Sequence, residues 1–447
     1  MGNNQKSRPA WRPIFSGDEA KPYLEVIHDL ARFFSAPVSE WQLAEPTQWS
    51  WAEVPRTSYC HGLADGVAGI SLFLAYYHQA FGGENIKAAA IALLEEEFSH
   101  LQLGVDNFTY FSGLPGVGWA TQHIQARVFG DQENLLEDAD DLLVHFATAA
   151  PADVQFDLVS GWVGVGLYFL ERLPRRAAAA GLSAVIDRLS EMVEFHDDGA
   201  AWLTGPRLMN PEQRRMYPLG YYNLGVAHGT PGVVGLLGRA AAWDGAPAGT
   251  ADLFDRAARW LWKQRRPTAE PSRFPLWRPA GDQADEKRDS RQAWCYGDVG
   301  VSLAVYSAAK IGGFRDHADR AFELASQSLS VDPHMTGVVD PGICHGASGL
   351  GHIYNRFYQA TGRAEFSGAA RYWFDRCLRM RTDDAGLAGF LEYNISLYRK
   401  ARWQSTPGVL TGAAGIGLAL LAATTHDTPA WDRFLLLDIE GDMGSVG

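Results

Sequence analysis

The stretch CHGASGLGH, residues 344–352, contains a G-x-x-G motif that is followed by small or aliphatic residues. The same motif opens an apolar run at seven places, whose first glycines are Gly66, Gly113, Gly161, Gly229, Gly297, Gly346 and Gly412. Successive copies are separated by 47 to 68 residues. Internal similarity at such intervals is typical of repeat architectures. We therefore predict seven copies of one structural unit.

Each unit contains two kinds of helical sequence. The motif opens an uncharged run of two or three turns, such as GVSLAVYSAA from Gly300, and a helix that is apolar all round is a buried helix. Between these runs lie amphipathic stretches such as NLLEDADDLLVHF, residues 134–146. The pattern predicts an all-α fold, an α/α toroid of seven inner and seven outer helices, with an open superhelical solenoid as the alternative. The glycines are expected to form tight turns into the inner helices and to permit close backbone contacts.

A chain of 447 residues is long enough for about three domains of ordinary size. The repeats, however, extend from Gly66 to Gly412 and favour one large domain. We assign residues 1–22 to an N-terminal extension, 23–437 to the toroid and 438–447 to a C-terminal tail. Strand signals are few and lie mainly between Trp202 and Tyr222. They predict a small strand-containing insertion, at about residues 196–223, between the third and fourth repeats.

The composition restricts the classes of function. Asp and Glu outnumber Lys and Arg by 52 to 39, which gives a net charge of −13, and the sequence has no basic run of the nucleic-acid-binding type. We therefore expect no nucleic-acid partner. The first fifteen residues have no apolar signal core, and the uncharged stretch 407–425 matches the other inner helices, so we expect a cytoplasmic protein.

Cysteine and histidine residues recur at two positions of the repeat. Cys295 and Cys344 each lie two residues before the first glycine of a motif, whereas His228 and His345 lie directly before it. Equivalent residues of a closed repeat structure lie at the same end of the ring, so these four side chains are expected to converge. Two sulfurs and an imidazole suit zinc, and three protein ligands leave a fourth position open, which is typical of a catalytic site.

Each cysteine alone is more often a buried hydrophobic residue than a metal ligand. Cys60 and Cys377 are at no such repeat position, and we assign them to packing. Four cysteines in 447 residues do not form a disulfide framework, which favours a reducing compartment. His61 and His352 are likewise expected to be structural.

The chain resembles the lanthionine synthetase C-like family, the cyclases of lantibiotic biosynthesis and their eukaryotic relatives. The resemblance covers roughly Tyr23 to Leu437. It rests on the seven glycine motifs together with AHGTPG at 227–232, WCYG at 294–297 and CHG at 344–346. It implies the α/α toroid and one zinc ion bound by Cys295, Cys344 and His345. It also implies a small strand-containing extension between the third and fourth repeats.

The resemblance implies a reaction as well. A dehydratase first converts Ser and Thr of a precursor peptide, which carries a leader, into dehydroalanine and dehydrobutyrine. The cyclase then adds a peptide cysteine across the double bond and forms a lanthionine or methyllanthionine thioether. A metal ion deprotonates a coordinating thiol, and the enolate that follows attack needs an acid to protonate its α carbon.

Four residues are candidates for the chemistry around the metal. His228 titrates in the range suited to an acid, or to the base that accepts the thiol proton. Asp157 and Arg291 match the family's active-site aspartate and arginine, and are expected to orient His228 and to stabilise the enolate oxygen. Tyr296 follows a zinc cysteine and is expected to direct its hydroxyl into the site. For Asp157 and Arg291 the alternative is an ordinary surface salt bridge.

Two alternative functions stay open at this stage. One is an enzyme of the same fold that adds glutathione to dehydrated residues, and the other is a zinc-bearing peptide-binding protein without catalysis. A zinc prenyltransferase is less compatible because its Asp-Cys-His ligand set is not found here. The expected partners of a cyclase are the dehydrated precursor peptide, a dehydratase and an exporter, in a complex peripheral to the membrane.

Overall fold

The structure is a computed structural model that describes residues 11–37, 41, 61–101, 107–151, 153–267, 271–281, 289–382, 386–395 and 401–439. The described residues form fifteen α-helices. In chain order these are α1 (Lys21–Phe34), α2 (Val67–Phe81), α3 (Glu84–Leu101), α4 (Leu114–His123), α5 (Glu137–Ala149), α6 (Trp162–Arg172), α7 (Arg176–Met192), α8 (Pro211–Met216), α9 (Thr230–Ala240), α10 (Thr250–Lys263), α11 (Asp298–Gly312), α12 (Arg315–Ser328), α13 (Ala347–Thr361), α14 (Ala364–Arg379) and α15 (Ala413–Thr424).

Fourteen of these helices form two concentric rings, as the sequence predicted. The inner helices are α2, α4, α6, α9, α11, α13 and α15, and most of their residues are buried. The outer helices are α1, α3, α5, α7, α10, α12 and α14, and each buries one face only. The remaining helix, α8, lies in the strand-containing insertion. The predicted toroid of seven inner and seven outer helices is therefore confirmed.

The first glycine of every motif is the N-cap residue of an inner helix. The second glycine is required because the helix packs against its own preceding loop. A Cβ atom at Gly349 would overlap the carbonyl oxygen of Ile343, six residues earlier, and the second glycine of each other motif meets its own loop in the same way. The second glycines do not have positive φ, so close packing and not an unusual backbone angle excludes a side chain there.

Gly349→Ala is accordingly expected to destabilise the protein, whereas Gly368→Ala on outer helix α14 is not. A Cβ at Gly368 has no heavy atom within 4 Å, so the alanine should add about 1 kcal/mol of helix propensity. Overpacking at Gly349 should lower the free energy of unfolding by about 1–3 kcal/mol or more. Denaturant unfolding of the two variants measures the difference. Equal stabilities would contradict this account of the motif.

The loops that precede the inner helices are joined into a closed cycle by backbone hydrogen bonds. In each link, the backbone N–H of one or two residues of a loop donates to a carbonyl oxygen of the adjacent loop, with N···O distances of 2.7 to 3.3 Å. The seven accepting residues all lie two positions before a motif, and they are Ala64, Phe111, Val159, Ala227, Cys295, Cys344 and Leu410. We call this cycle the loop ring. It brings the two motif-associated cysteines into adjacent links.

The two ends of the described chain complete the toroid. Outer helix α1 packs against the last inner helix, α15, so that the first and last helices meet. Trp11 and Ile14, which lie within the predicted extension, donate hydrogen bonds to the carbonyl oxygens of Ala422 and Ala423. This part of the extension is therefore packed on the ring.

A segment near the C-terminus fills the centre of the inner ring. This central plug, residues 430–439, includes the 3₁₀-helix Ala430–Leu435. Buried ion pairs attach it to three inner helices: Asp432 with Arg356 at 2.6 Å, Arg433 with Glu171 at 2.9 Å and Asp438 with Arg239 at 2.6 Å. Asp438, the first residue of the predicted tail, is thus part of the buried core. Removing one partner of such a pair typically destabilises a protein by about 3–5 kcal/mol.

Strands occupy two places in the fold. An antiparallel sheet contains β1 (Val193–His196), β2 (Gly199–Thr204), β3 (Tyr221–Asn223) and β4 (Trp277–Pro279) in that order. A hairpin, β5 (Glu392–Ile395) and β6 (Ala401–Gln404), precedes the seventh repeat. The prediction that strands lie mainly between Trp202 and Tyr222 is too narrow. Strand β4 has three residues and ends in proline, so its conformation depends on pairing with β3 and has no local signal.

Among the described residues, none of the helices is both long enough and apolar enough to cross a bilayer. The uncharged stretch that raised this question contains α15, which is an inner helix as expected.

Candidate metal centre and active-site cavity

Two adjacent positions before each motif build one end of the toroid. The residues of the loop ring are mostly apolar and form the floor of a cavity of about 410 Å³. The residue directly before each first glycine is polar in all seven repeats, and none of these residues is buried: Asp65, Ser112, Ser160, His228, Tyr296, His345 and Thr411. The predicted convergence of equivalent positions is therefore observed. Of the four side chains predicted to converge, Cys295, Cys344 and His228 line this cavity, as does Tyr296, whereas His345 lies beside the two cysteines and is not in the cavity lining.

Cys295, Cys344 and His345 could together hold a metal ion. Their ligand atoms all lie within 4.8 Å of one another. Tetrahedral zinc with ligand bonds of about 2.0–2.3 Å needs donor atoms somewhat closer than this, so small side-chain rotations suffice. The carbonyl oxygen of Cys344 accepts hydrogen bonds from the backbone N–H of Trp294 and of Cys295, which holds the two loops together. The donor set is soft and suits zinc.

The electrostatic surroundings favour a thiolate in this group. A hydrogen bond with Cys344 holds the pKa of Cys295 well below its usual range, which outweighs the opposite effect of burial. His345 and the positive charge of Arg291 act in the same direction. The thiolate is the form of cysteine that binds metals, so these contacts favour metal binding by the group.

Asp340 orients His345 and was not identified from the sequence. Its carboxylate is buried and lies 2.9 Å from Nε2 of His345, which leaves Nδ1 for the metal. Metal-binding histidines commonly contact a carboxylate through the second ring nitrogen in this way. An alignment of the repeats could have identified Asp340 as a candidate. Polar residues recur six positions before the first glycine of the motif, and they are Asn107, Gln155, Asn223, Arg291, Asp340 and Thr406.

His228 and Asp157 form a pair in the cavity wall. Nδ1 of His228 lies 2.6 Å from Oδ2 of Asp157, while the backbone N–H of Ser160 donates to Oδ1 of the same carboxylate at 2.7 Å. Asp157 is buried, whereas the side chain of His228 is 45% exposed. Burial lowers the pKa of His228, but the hydrogen bond and charge of Asp157 outweigh this effect and raise it. With Nδ1 engaged, Nε2 is the nitrogen left for chemistry in the cavity.

Tyr296 connects the cavity to the strand insertion. Its hydroxyl accepts a hydrogen bond from Nδ2 of Asn223, the last residue of β3, at 2.9 Å. Burial raises the pKa of Tyr296, so the phenol is neutral. The position of this predicted site residue thus depends on a strand outside the two helical rings.

Arg291 is placed differently from the other predicted residues. It lies six positions before Gly297 and is half-buried, and its charge lowers the pKa of Cys295. Its side chain makes no hydrogen bond or ion pair with the part of the chain that the structure describes, and it is not part of the cavity wall. Its proposed contact with an enolate oxygen therefore stays a prediction.

The histidines and cysteines that we assigned to structural roles lie in different places. His352 is buried and lies 2.7 Å from Asp432, which agrees with its structural assignment. His61 lines the cavity, but its Nδ1 lies 3.3 Å from Oε2 of Glu97 and its ring stacks on His100, so its structural assignment stays a prediction. Cys377 is buried in α14, whereas Cys60 lies outside the described residues.

The fold and the site together define a seven-repeat helical toroid with a Cys/Cys/His group in a cavity at one end. The chain belongs to the lanthionine synthetase C-like protein family, whose model matches residues 58–436. The nisin biosynthesis protein NisC of Lactococcus lactis subsp. lactis is 25% identical over 367 residues, which cover 74% of this chain and 82% of NisC. The solved structure of nisin cyclase superposes with a TM-score of 0.68 at 19% identity, over 95% of this chain and 98% of that one. The family and the fold implied by the sequence motifs are thus confirmed.

Proposed function

We propose that this protein is a zinc-dependent peptide cyclase that adds cysteine thiols to dehydroalanine or dehydrobutyrine and forms lanthionine or methyllanthionine rings. One observation carries the proposal: Cys295 and Cys344, which form a possible metal group with His345, line the same cavity as His228, which is paired with Asp157. The cavity volume of about 410 Å³ is within the range of small-ligand sites and suits a short loop of peptide. The family and the similarity to NisC and nisin cyclase support the same activity.

The bond changes assign roles to the residues of the cavity. The S–Cβ bond forms, the Cα–Cβ π bond breaks and the thiol proton must leave, while a proton must reach Cα. Zinc held by Cys295, Cys344 and His345 would leave one position for the peptide sulfur and favour its thiolate form. His228 accepts the thiol proton at Nε2 and returns a proton to Cα, and Asp157 stabilises the charged imidazole between the two transfers.

The acidic character of the protein suits a cationic peptide substrate. The net charge of −13 favours the approach of positively charged segments of a precursor. We further propose that the precursor arrives dehydrated and with its leader, from a dehydratase partner. A cytoplasmic complex with that dehydratase and an exporter, peripheral to the membrane, is the corresponding setting.

The test of this proposal is the reaction of the zinc-loaded protein with a synthetic peptide that carries one dehydroalanine and one cysteine. We expect the free thiol to disappear at a rate above the spontaneous one, without a change in peptide mass. Excess glutathione distinguishes the alternatives, because a glutathione-adding enzyme would increase the peptide mass by one glutathione. Tight peptide binding without any loss of thiol would instead identify a binding protein and refute the cyclase.

A further inference from the structure

Asp65 occupies the same repeat position as three residues of the proposed site. It directly precedes the first glycine of the first motif, as His228, Tyr296 and His345 precede those of the fourth, fifth and sixth. Because the loop ring holds these positions at one end of the toroid, Asp65 lines the same cavity as His228 and Cys295. The first repeat lies across the seven-membered ring from the fourth and fifth. Asp65 therefore faces the cavity from the wall opposite His228.

The carboxyl group of Asp65 has no partner among the described residues. It makes no hydrogen bond or ion pair there, and its side chain is exposed to the cavity. The neighbouring carboxylate is Glu392 of β5, which already accepts a hydrogen bond from Nε2 of Gln404 at 3.0 Å. No Lys or Arg is among the described residues that line the cavity. A carboxyl group with no Lys or Arg beside it is more easily protonated than one held in an ion pair.

We propose that Asp65 is a further catalytic residue, which as a neutral carboxylic acid donates a hydrogen bond to the carbonyl oxygen of the dehydrated residue. This inference rests on the proposed cyclase function and extends it. Negative charge develops on that oxygen when the sulfur attacks Cβ, and a neutral donor stabilises it without repulsion. Asp65 keeps its own proton, while the proton on Cα comes from His228. Asp65 thus provides a hydrogen-bond donor in the cavity wall. Arg291, which was predicted to contact the enolate oxygen, is not part of that wall.

The surroundings of Asp65 make its neutral form accessible in mildly acidic solution. The side chain is open to the cavity, but the protein around the cavity still restricts its solvation by burial, and this effect together with the charge of Glu392 raises the pKa of Asp65 to about 6. Burial and His100 lower the pKa of His61, so this ring provides no compensating positive charge. Behind His61, burial raises the pKa of Glu97 to about 7. Across the cavity stand His228, Tyr296 and the metal-binding group.

Three variants test the role of the carboxyl group in the same thiol-consumption assay with the dehydroalanine peptide. At a pH below about 6, where the acid is neutral, Asp65→Ala should reduce kcat by about 10²- to 10³-fold, as expected for the loss of one oxyanion donor. Asp65→Asn should retain much more activity, because its amide N–H still donates. Asp319→Ala is the control, since Asp319 is an exposed aspartate on outer helix α12 and does not line the cavity. It should stay close to wild type.

The pH dependence tests the protonation state. If the neutral acid is the active form, its contribution is present below the pKa of Asp65 and is lost as the pH rises through about 6. The ratio of kcat/KM of Asp65→Asn to that of wild type should therefore increase with pH. Glu392→Gln removes a neighbouring negative charge and should therefore lower the pKa of Asp65. The contribution of Asp65 to kcat/KM should then be lost at a lower pH than in wild type.

The outcomes separate this inference from the cyclase proposal. If wild type does not consume thiol, the cyclase proposal fails first. If wild type is active and Asp65→Ala is close to it, or if Asp65→Asn is as inactive as Asp65→Ala, the role of Asp65 is refuted while the cyclase stands. Unchanged zinc content and helical circular dichroism in each variant exclude misfolding as the cause of any loss.

Discussion

Cys344→Ala is expected to lose the bound zinc and to abolish cyclisation, while its helical content stays at the wild-type level. Two ligands cannot hold the ion as three do, and the substrate thiol then loses its activation. The fold should survive because the loop ring uses the backbone carbonyl of residue 344, which the substitution keeps, and because the toroid has its own apolar core. Metal analysis, thiol consumption and circular dichroism measure the three effects.

Cys377→Ala provides the matched control for this result. Cys377 is also a buried cysteine, but it lies on outer helix α14 and outside the metal-binding group. The control variant should keep one zinc per chain and its activity. Full zinc occupancy in Cys344→Ala would remove Cys344 from the ligand set. Unfolding together with zinc loss would show that the ion is structural and not only catalytic.

His228→Asn is expected to reduce ring formation by about 10²- to 10⁴-fold, the usual contribution of a general acid-base group. Zinc content and peptide affinity should not change, because only proton transfer is disabled. Asp157→Asn should have a similar effect, since the carboxylate that raises the pKa of His228 is gone. If the two residues act as a unit, the double variant should be little worse than either single one.

A surface histidine controls for the substitution itself. His145→Asn changes an exposed residue on outer helix α5 and should leave the rate of thiol consumption unchanged. Near-normal consumption by His228→Asn would exclude His228 from the mechanism. The proton would then have to come from Tyr296 or from water.

The repeat pattern predicts most of the fold because the same local physics acts seven times. Each first glycine caps an inner helix, and each second glycine permits the helix to pack on its own loop. This regularity also predicts which side chains meet, because equivalent positions must lie at one end of a closed ring. The meeting of Cys295 with Cys344 and His345 could therefore be predicted although Cys295 belongs to a different repeat.

Features without a repeated signal could not be predicted in this way. The position of Asn223 beside Tyr296 depends on the pairing of strands that are only three residues long. The contact of Asp340 with His345 depends on a loop conformation that only the folded repeat provides. Nothing in the sequence near Arg433 indicates that this residue meets Glu171 in the centre of the ring. In each case a long-range contact determines the outcome and not a local preference.

The central plug has a consequence for the order of events during synthesis. The indole N–H of Trp294, which precedes Cys295, donates to the carbonyl oxygen of Leu435, and the loop ring closes through Ala64 and Leu410. A growing chain therefore makes both cysteines long before it makes the residues that hold them in place. Such contacts between distant parts of a chain form late in folding. The cavity end of the toroid is thus assembled only after the residues of the central plug have been synthesised.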